Sequence, residues 1–489
     1  MLRLFIRFEL RSQLRDIRFY LAALAFFGLF LAAAIHQQKT LDATRAQIAT
    51  SQAERRETFE KNHEALLAVE RGEESYDSLW DDPRGYYLWH KTAADYPLPP
   101  QAFLSIGQRD LFAPTNGIGI YSDAQAGGNP IANPVPLSFG GFDPAFVFVF
   151  LLPLLILAGN YHTISRDRES GVAALLYSQP IDPLRGYALR ALTRFALYLV
   201  VVGATLLVTA VATGTLGAFS PKLLLGLLFG AGLYMGFWFL LAFWVDLRSG
   251  DSQRNALVLL TAYLLLAVLV PTGVSSAAEF LFPTPTRITL VSQARTAAAE
   301  AQKRGDELLA DYLRDHPQLT QDPNASAESA HAGFFTYYQR MFAANRAVAH
   351  DMEPARAQFD ERLARQRRIE AMLSVLSPIV VARASLDEVA GVSDSHFRSY
   401  ARTIAQFSHD WREFFAAKAF RQELIGSADL ATLPQFQLPT MRVLPASWIA
   451  VGTLLCANVL LLFAILWRGR RKGAQGPDAG SIVPEPKEV

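Results

Sequence analysis

The chain contains a single cysteine, Cys456, so no intrachain disulfide can form and every part must be held by ordinary packing. Signatures of catalysis are also missing. There is no Gly-x-x-x-x-Gly-Lys loop to cradle phosphates and no Gly-x-Ser-x-Gly elbow. His63-Glu64 opens like a zinc-protease helix, but the second ligand would fall at position 67, which is Leu67. The remaining histidines are scattered, so no metal site is expected, and no cofactor is expected in this chain. Charges make up 19% of the residues and nearly cancel, at +1, which gives no electrostatic footprint for nucleic acid. The middles of the long apolar runs lack the carboxylates and histidines with which proton or sodium antiporters hold their ions.

What the sequence does have is segregation. Half its residues are apolar (51%), and they gather in long blocks with the charged residues between them. Six blocks reach or approach the roughly 20 apolar residues needed to cross a hydrocarbon core. The implied fold is an all-α polytopic membrane protein of six transmembrane helices with a mainly helical extracytoplasmic domain. Residues 1–18 read as an amphipathic helix on the cytoplasmic face, with spans at 19–35, 144–161, 187–213, 222–245, 255–275 and 446–467. Between them lie an extracytoplasmic segment at 36–143, helical then irregular, cytoplasmic loops at 162–186 and 246–254, and the extracytoplasmic domain at 276–445. Residues 468–489 read as a disordered cytoplasmic tail.

Orientation follows from the basic residues near the spans. Arg3, Arg7, Arg11, Arg15 and Arg18 precede the first block, Arg166, Arg168, Arg185 and Arg190 follow the second, and Arg248 and Arg254 follow the fourth. "RGRRKG" follows the sixth. With six spans all four segments fall on one side, the cytoplasm, and both termini with them. A signal peptide ending near "AAAIHQ" is the competing reading of the first block. The arginine stripe before it favours a retained anchor whose first helix lies along the inner surface. Arg190 and Arg194, in the first turns of the third span, are expected to snorkel to that surface.

Outside the membrane, "TLDATRAQIATSQAERRETFEKNHEALLAVERG" has no proline and is expected to extend the first span into one long rod. After it, aromatic anchors such as Trp80, Tyr86, Tyr87 and Trp89 alternate with turn-forming stretches. The 276–445 domain shows helical spacing in three stretches, the last from Ser393 to about Ile425, and these helices are expected to pack on one another. Leu376–Pro378 ends the second of them, and "FFTYYQRMF" is expected to be an apolar helix face. In the fourth span, Gly226 and Gly230, and Gly232 and Gly236, are four apart, a spacing that lets helices approach closely within the chain or at a subunit interface.

The most informative stretch is "RDRESGVAALLYSQPIDPLRG", Arg166 to Gly186. A loop that only joins two spans needs no charged helix start, no apolar face on Val172, Leu175 and Leu176, and no pair of prolines at Pro180 and Pro183. A short helix with a sticky face, joined to two spans, suits docking to a cytoplasmic partner. The stretch resembles the coupling-helix region of ABC-2 type permeases, the membrane subunits of one class of ATP-binding cassette transporter. Glu169, Gly171, Leu175, Leu176, Pro180 and Arg185 carry the resemblance, with Arg166, Asp167 and Arg168 beside them. "LSPIVVARASLDEVAGVSDSHFRSYARTIAQFSHDWREFF" resembles the extracytoplasmic insertion of a bacterial branch of these permeases. The resemblance implies a bacterial inner-membrane permease working with a second permease chain, identical or similar. It implies separate cytoplasmic ATPase subunits that bind ATP and Mg and push the 164–180 helix. It implies a second cytoplasmic contact in "DLRSGDSQRN", carried by Asp246, Arg248, Asp251 and Arg254. An exporter is the leading expectation. Force transmission to a periplasmic partner without solute transport, and a membrane scaffold without an ATPase, stay open beside it.

Overall fold

The computed structural model describes residues 2–85, 91–120, 141–178, 183–248, 251–283, 287–317, 332–437 and 446–474. Among the described residues, six helices are long and apolar enough to cross a membrane: Ile17–Glu70, Pro144–Glu169, Pro183–Ala212, Pro221–Arg248, Ser252–Leu281 and Ile449–Arg468. Each overlaps one expected block, and the described residues are overwhelmingly helical, consistent with an all-α polytopic protein. Large apolar side chains such as Leu24, Val200, Leu225, Leu257 and Phe463 stay exposed around the bundle, as lipid contact requires and water would penalise. The single sheet among the described residues pairs Thr92–Asp95 antiparallel with Thr115–Ile118, with Thr92 opposite Ile118.

Two of the apolar helices contain a π turn, Val147–Leu151 and Leu265–Leu269, and a proline follows each, Pro153 and Pro271. Proline has no N–H, and the wide turn loosens the carbonyl ladder, so backbone oxygens are released where no water can reach them. Side chains from neighbouring helices supply the donors. The Tyr234 hydroxyl donates to the Val149 carbonyl, Tyr263 donates to Phe150 at 3.0 Å, and Ser377 donates to Leu266 at 2.7 Å. Each irregularity thereby becomes a specific joint between helices. Asn458 makes another, donating from the last helix to the Leu233 carbonyl at 2.9 Å.

Asp16 caps the helix Ile17–Glu70, accepting from the Arg18 amide at 2.9 Å. The 54-residue helix then runs for about 80 Å without a break. Its first half buries Phe26, Phe30 and Leu41 in the bundle core, and near its far end Leu66 enters a second core with Ile118, Phe335, Tyr400 and Trp411. One rod therefore joins the bundle to the domain beyond it. Of the expected aromatic anchors, Trp80 packs edge-on against Phe334 at 4.9 Å, while Tyr86, Tyr87 and Trp89 lie outside the described residues. Residues 121–140, 319–326 and the tail from 475 also lie outside them.

The distal domain is built from Arg287–Lys303, Gly305–Asp315, Ala332–Ser374 and Asp394–Phe420, the last capped by Ser393. "FFTYYQRMF" contributes buried Phe334, Phe335, Tyr338 and Phe342 to its cores. One helix departs from expectation. Pro378–Val389 does not join the polar bundle. The chain bends by 117° after Ser374, and this helix lays Ile379, Val381 and Ala382 into the core of the apolar helices. Its composition explains the choice, because "PIVVARASL" has an apolar face that polar helices cannot cover. Asp143 fixes it there. This fully buried carboxylate caps the second apolar helix through the Phe146 amide at 2.6 Å and accepts from the Ile106 amide at 2.9 Å. It also takes a two-pronged contact from Arg383 at 2.9 and 2.7 Å.

Tyr96 closes the turn after that helix, its buried hydroxyl donating to the Gly391 carbonyl at 3.0 Å. Burial pushes its pKa up to about 12 from an ordinary 10.0. A folded-state pKa above the unfolded value means stability is present below the unfolded pKa and is lost as pH rises through the folded one. Thermal unfolding followed between pH 9 and 12 should therefore show a loss of order 2 kcal/mol above about pH 10 that is shallower in Tyr96→Phe. An unchanged alkaline limb in the variant would show that Tyr96 is not what titrates.

Candidate functional site at the arginine-rich end

The arginine-rich segments converge on one end of the bundle. Ile164, Tyr187, Phe243, Leu247 and Ile465, from four of the apolar helices, form a small core there. Around it lies a network of buried polar groups with two halves.

The first half is ionic. The N-terminal helix Leu2–Gln13 turns its polar residues Glu9 and Gln13 inward and leaves Phe8 exposed. Glu9 receives Arg194 at 3.0 Å and Arg190 at 3.3 Å, and Arg190 also reaches Asp167 at 2.9 Å. Arg194 extends to Thr163 Oγ1 at 3.1 Å and the Gly159 carbonyl at 3.3 Å. Two guanidiniums and two carboxylates cancel, as burial in a poor dielectric demands. This corrects the expectation that Arg190 and Arg194 snorkel outward. Both side chains are largely buried, because Glu9 brings them a counter-charge that the apolar run itself lacks.

The second half is a set of caps. Asp246, fully buried, accepts from the Ile164 and Ser165 amides and from Asn255 Nδ2 at 2.8 Å. Asn255 also donates to the Tyr161 carbonyl at 3.2 Å, and the Ser165 and Ser252 hydroxyls meet at 3.0 Å. Glu169 accepts from the Ser252 amide at 2.7 Å, stabilising the N-terminus of the helix that begins there. The two loops that the sequence offered as separate contacts are thus one structure. Asp246 cannot touch an external partner, because its oxygens hold the start of the Ser165–Glu169 turn. Glu169 and Asp167 likewise bond within the chain. Asp251 caps the Ser252 helix through the Gln253 amide at 2.9 Å, and Arg248 lies over the Trp244 ring at 4.2 Å. Arg166, Arg185 and Arg254 are exposed.

Resting on this network is the expected short helix, in a different form. It is not one helix over 164–180 but two, Ser165–Glu169 and Val172–Tyr177, separated by Gly171 in the left-handed region at φ +76°. A Cβ at Gly171 would meet nothing within 4 Å, so glycine is required there by the backbone and not by space. The second helix buries Ala173 and presents Val172 and Leu175, the latter 68% exposed, while Leu176 is half-buried. Pro180 lies outside the described residues. The glycine pairs divide. Gly236 approaches Asn458 of the last helix, where a Cβ would come within 3.1 Å of its side chain, and Gly232 is in ordinary contact with Phe195. A Cβ at Gly226 or Gly230 would meet nothing within 4 Å, so a close approach within the chain is seen for the second pair and not for the first.

Sequence reasoning missed Glu9, Thr163, Ser252 and Asn255. Glu9 was the findable one, as an acid in the middle of an arginine stripe.

A family model described as a domain of unknown function (DUF3526) matches residues 287–438. No curated protein and no solved structure matches the chain significantly. The matched segment is the distal domain with the inserted Pro378–Val389 helix, and it leaves the arginine-rich end untouched.

Glu9→Gln strands Arg194 beside a neutral amide, and loss of one partner of a buried pair costs about 3 kcal/mol. Thermal unfolding in detergent should show a clear drop in midpoint, partly restored when Arg194→Met removes the stranded charge. An unchanged midpoint in Glu9→Gln would mean the ionic half holds nothing together.

Proposed function

We propose that this chain is the membrane-spanning permease subunit of an ATP-binding cassette transporter of the ABC-2 type, an exporter of the bacterial inner membrane. In this reading the arginine-rich end is cytoplasmic, the distal domain is extracytoplasmic, and two permease chains form the pathway. The observation that carries it is the mounting of the Val172–Tyr177 helix. Val172 and Leu175 are exposed among the described residues, while the turn before the helix is bound to the Ser252 helix by Glu169, to helix 183–212 by Asp167 and to helix 221–248 through Asp246. A surface meant only to join two spans has no reason to be sticky outside and rigid beneath. A separate ATPase, binding ATP and Mg, docks on that apolar face. Closure of its dimer displaces the helix, and the network passes the displacement to several spans together. The chain's own contribution is transmission and passage, with hydrolysis supplied by the partner.

One observation favours a second reading, force transmission without transport. The Ile17–Glu70 helix enters both hydrophobic cores, so a tilt imposed within the bundle is delivered unchanged to the distal domain. ATP-dependent solute movement in proteoliposomes separates the two.

Replacing Leu175 by Asp puts a charge on the docking face without touching the buried network. It should abolish co-purification of the ATPase and reduce ATP-driven transport at least tenfold, with membrane insertion and thermal stability unchanged. Retention of a stoichiometric ATPase in Leu175→Asp would contradict the docking role.

A further inference from the structure

Away from the arginine-rich end, the bundle holds a cavity of about 670 Å³. Its walls come from the apolar helices, including Phe30, Phe148, Leu206 and Leu454, and Leu386 of the inserted Pro378–Val389 helix closes one side. It opens along the stretch of helix 221–248 that carries Gly226 and Phe229, both exposed. Its size is that of a ligand site, not of a packing defect.

The lining settles what can occupy it. Lys222, Tyr234 and Ser385 are the polar side chains among the lining residues. The Tyr234 hydroxyl is engaged with the Val149 carbonyl, and that of Ser385 with the Val381 carbonyl at 2.8 Å. A water molecule needs two to four polar partners, and these walls do not offer them. An apolar space open to hydrocarbon fills with hydrocarbon. Gly226 and Gly230 explain why it exists, since neither meets another helix and side chains there would project into the opening.

Lys222 supplies the second determinant. It is the second residue of its helix, at the end of the bundle away from the arginine-rich face, and no ion pair to a described carboxylate involves it. An ammonium at the mouth of an apolar slot matches an amphiphile with an anionic head and a long alkyl chain. We propose that this cavity binds one acyl chain of an anionic membrane lipid from the distal leaflet, with its head group held by Lys222. The chain gains little from leaving other lipid tails, so selectivity rests on close packing in the slot and on the charge at its rim. The inference depends on the six helices lying in a bilayer and not on the identity of any motor.

The test uses the full chain in nanodiscs, with phosphatidylglycerol or phosphatidylcholine carrying a photoactivatable diazirine on one acyl chain. Cross-links should map to peptides containing Phe148, Leu206 and Leu386, and phosphatidylglycerol should be favoured. Lys222→Gln should reduce that preference about fivefold, the effect of one cation near the membrane surface. Gly226→Leu with Gly230→Leu should remove the cavity cross-links while leaving the unfolding temperature intact, since both glycines border open space. Cross-links elsewhere, an unaltered pattern in the filled variant, or cross-linking of this wall to a second copy of the chain would each overturn the proposal. None of these results depends on ATP, so failure here is distinct from failure of the transport reading.

Discussion

A carboxylate near the N-terminus governs how this molecule is put together. Glu9 receives two guanidiniums that the apolar helix 183–212 could not otherwise keep inside. Charges removed from water must be balanced within a few ångströms or exposed, and the balance fixes positions. Once Glu9 and Asp167 are set against Arg190 and Arg194, the N-terminal helix and the 165–169 turn have fixed places on helix 183–212. Asp246 and Glu169 then tie that turn to helices 221–248 and 252–281. The Val172–Tyr177 helix stands on this platform, and its exposed apolar face has meaning only because the platform does not yield.

The same physics operates at the other end. Asp143 and Arg383 hold the inserted helix Pro378–Val389 against the bundle, and Ser377 repairs a carbonyl opened by a π turn. Between the two polar clusters the interior is apolar and incompletely filled. A bundle fastened at both ends and loose in between can change shape by small tilts of whole helices. The unbroken rod from Ile17 to Glu70 is the element that would report such a tilt beyond the bundle.

Much of this was legible in the residues. Long apolar runs and clustered arginines locate the six helices, because both signals are local and additive along the chain. The long rod follows from a proline-free stretch, and a short exposed helix near Leu175 from its glycine and leucines. What could not be read were the pairings. That Glu9 meets Arg194, or that Glu169 caps Ser252, depends on helices separated by some eighty residues or more lying side by side. The same ignorance sent Asp246 to the surface. Pro378–Val389 was misplaced for a different reason. Twelve residues are too few to register as a span, and flanking polar helices disguised an apolar face that only the bundle could bury.

The central claim is that the face carrying Leu175 receives a nucleotide-hydrolysing partner. A photo-cross-linking amino acid placed at position 175 and activated in native membranes tests it without disturbing the buried network. The account predicts one dominant protein adduct, identified by mass spectrometry as a polypeptide with a Gly-x-x-x-x-Gly-Lys loop, its yield changing with ATP. Adducts to lipid alone, or to proteins without that loop, would contradict it.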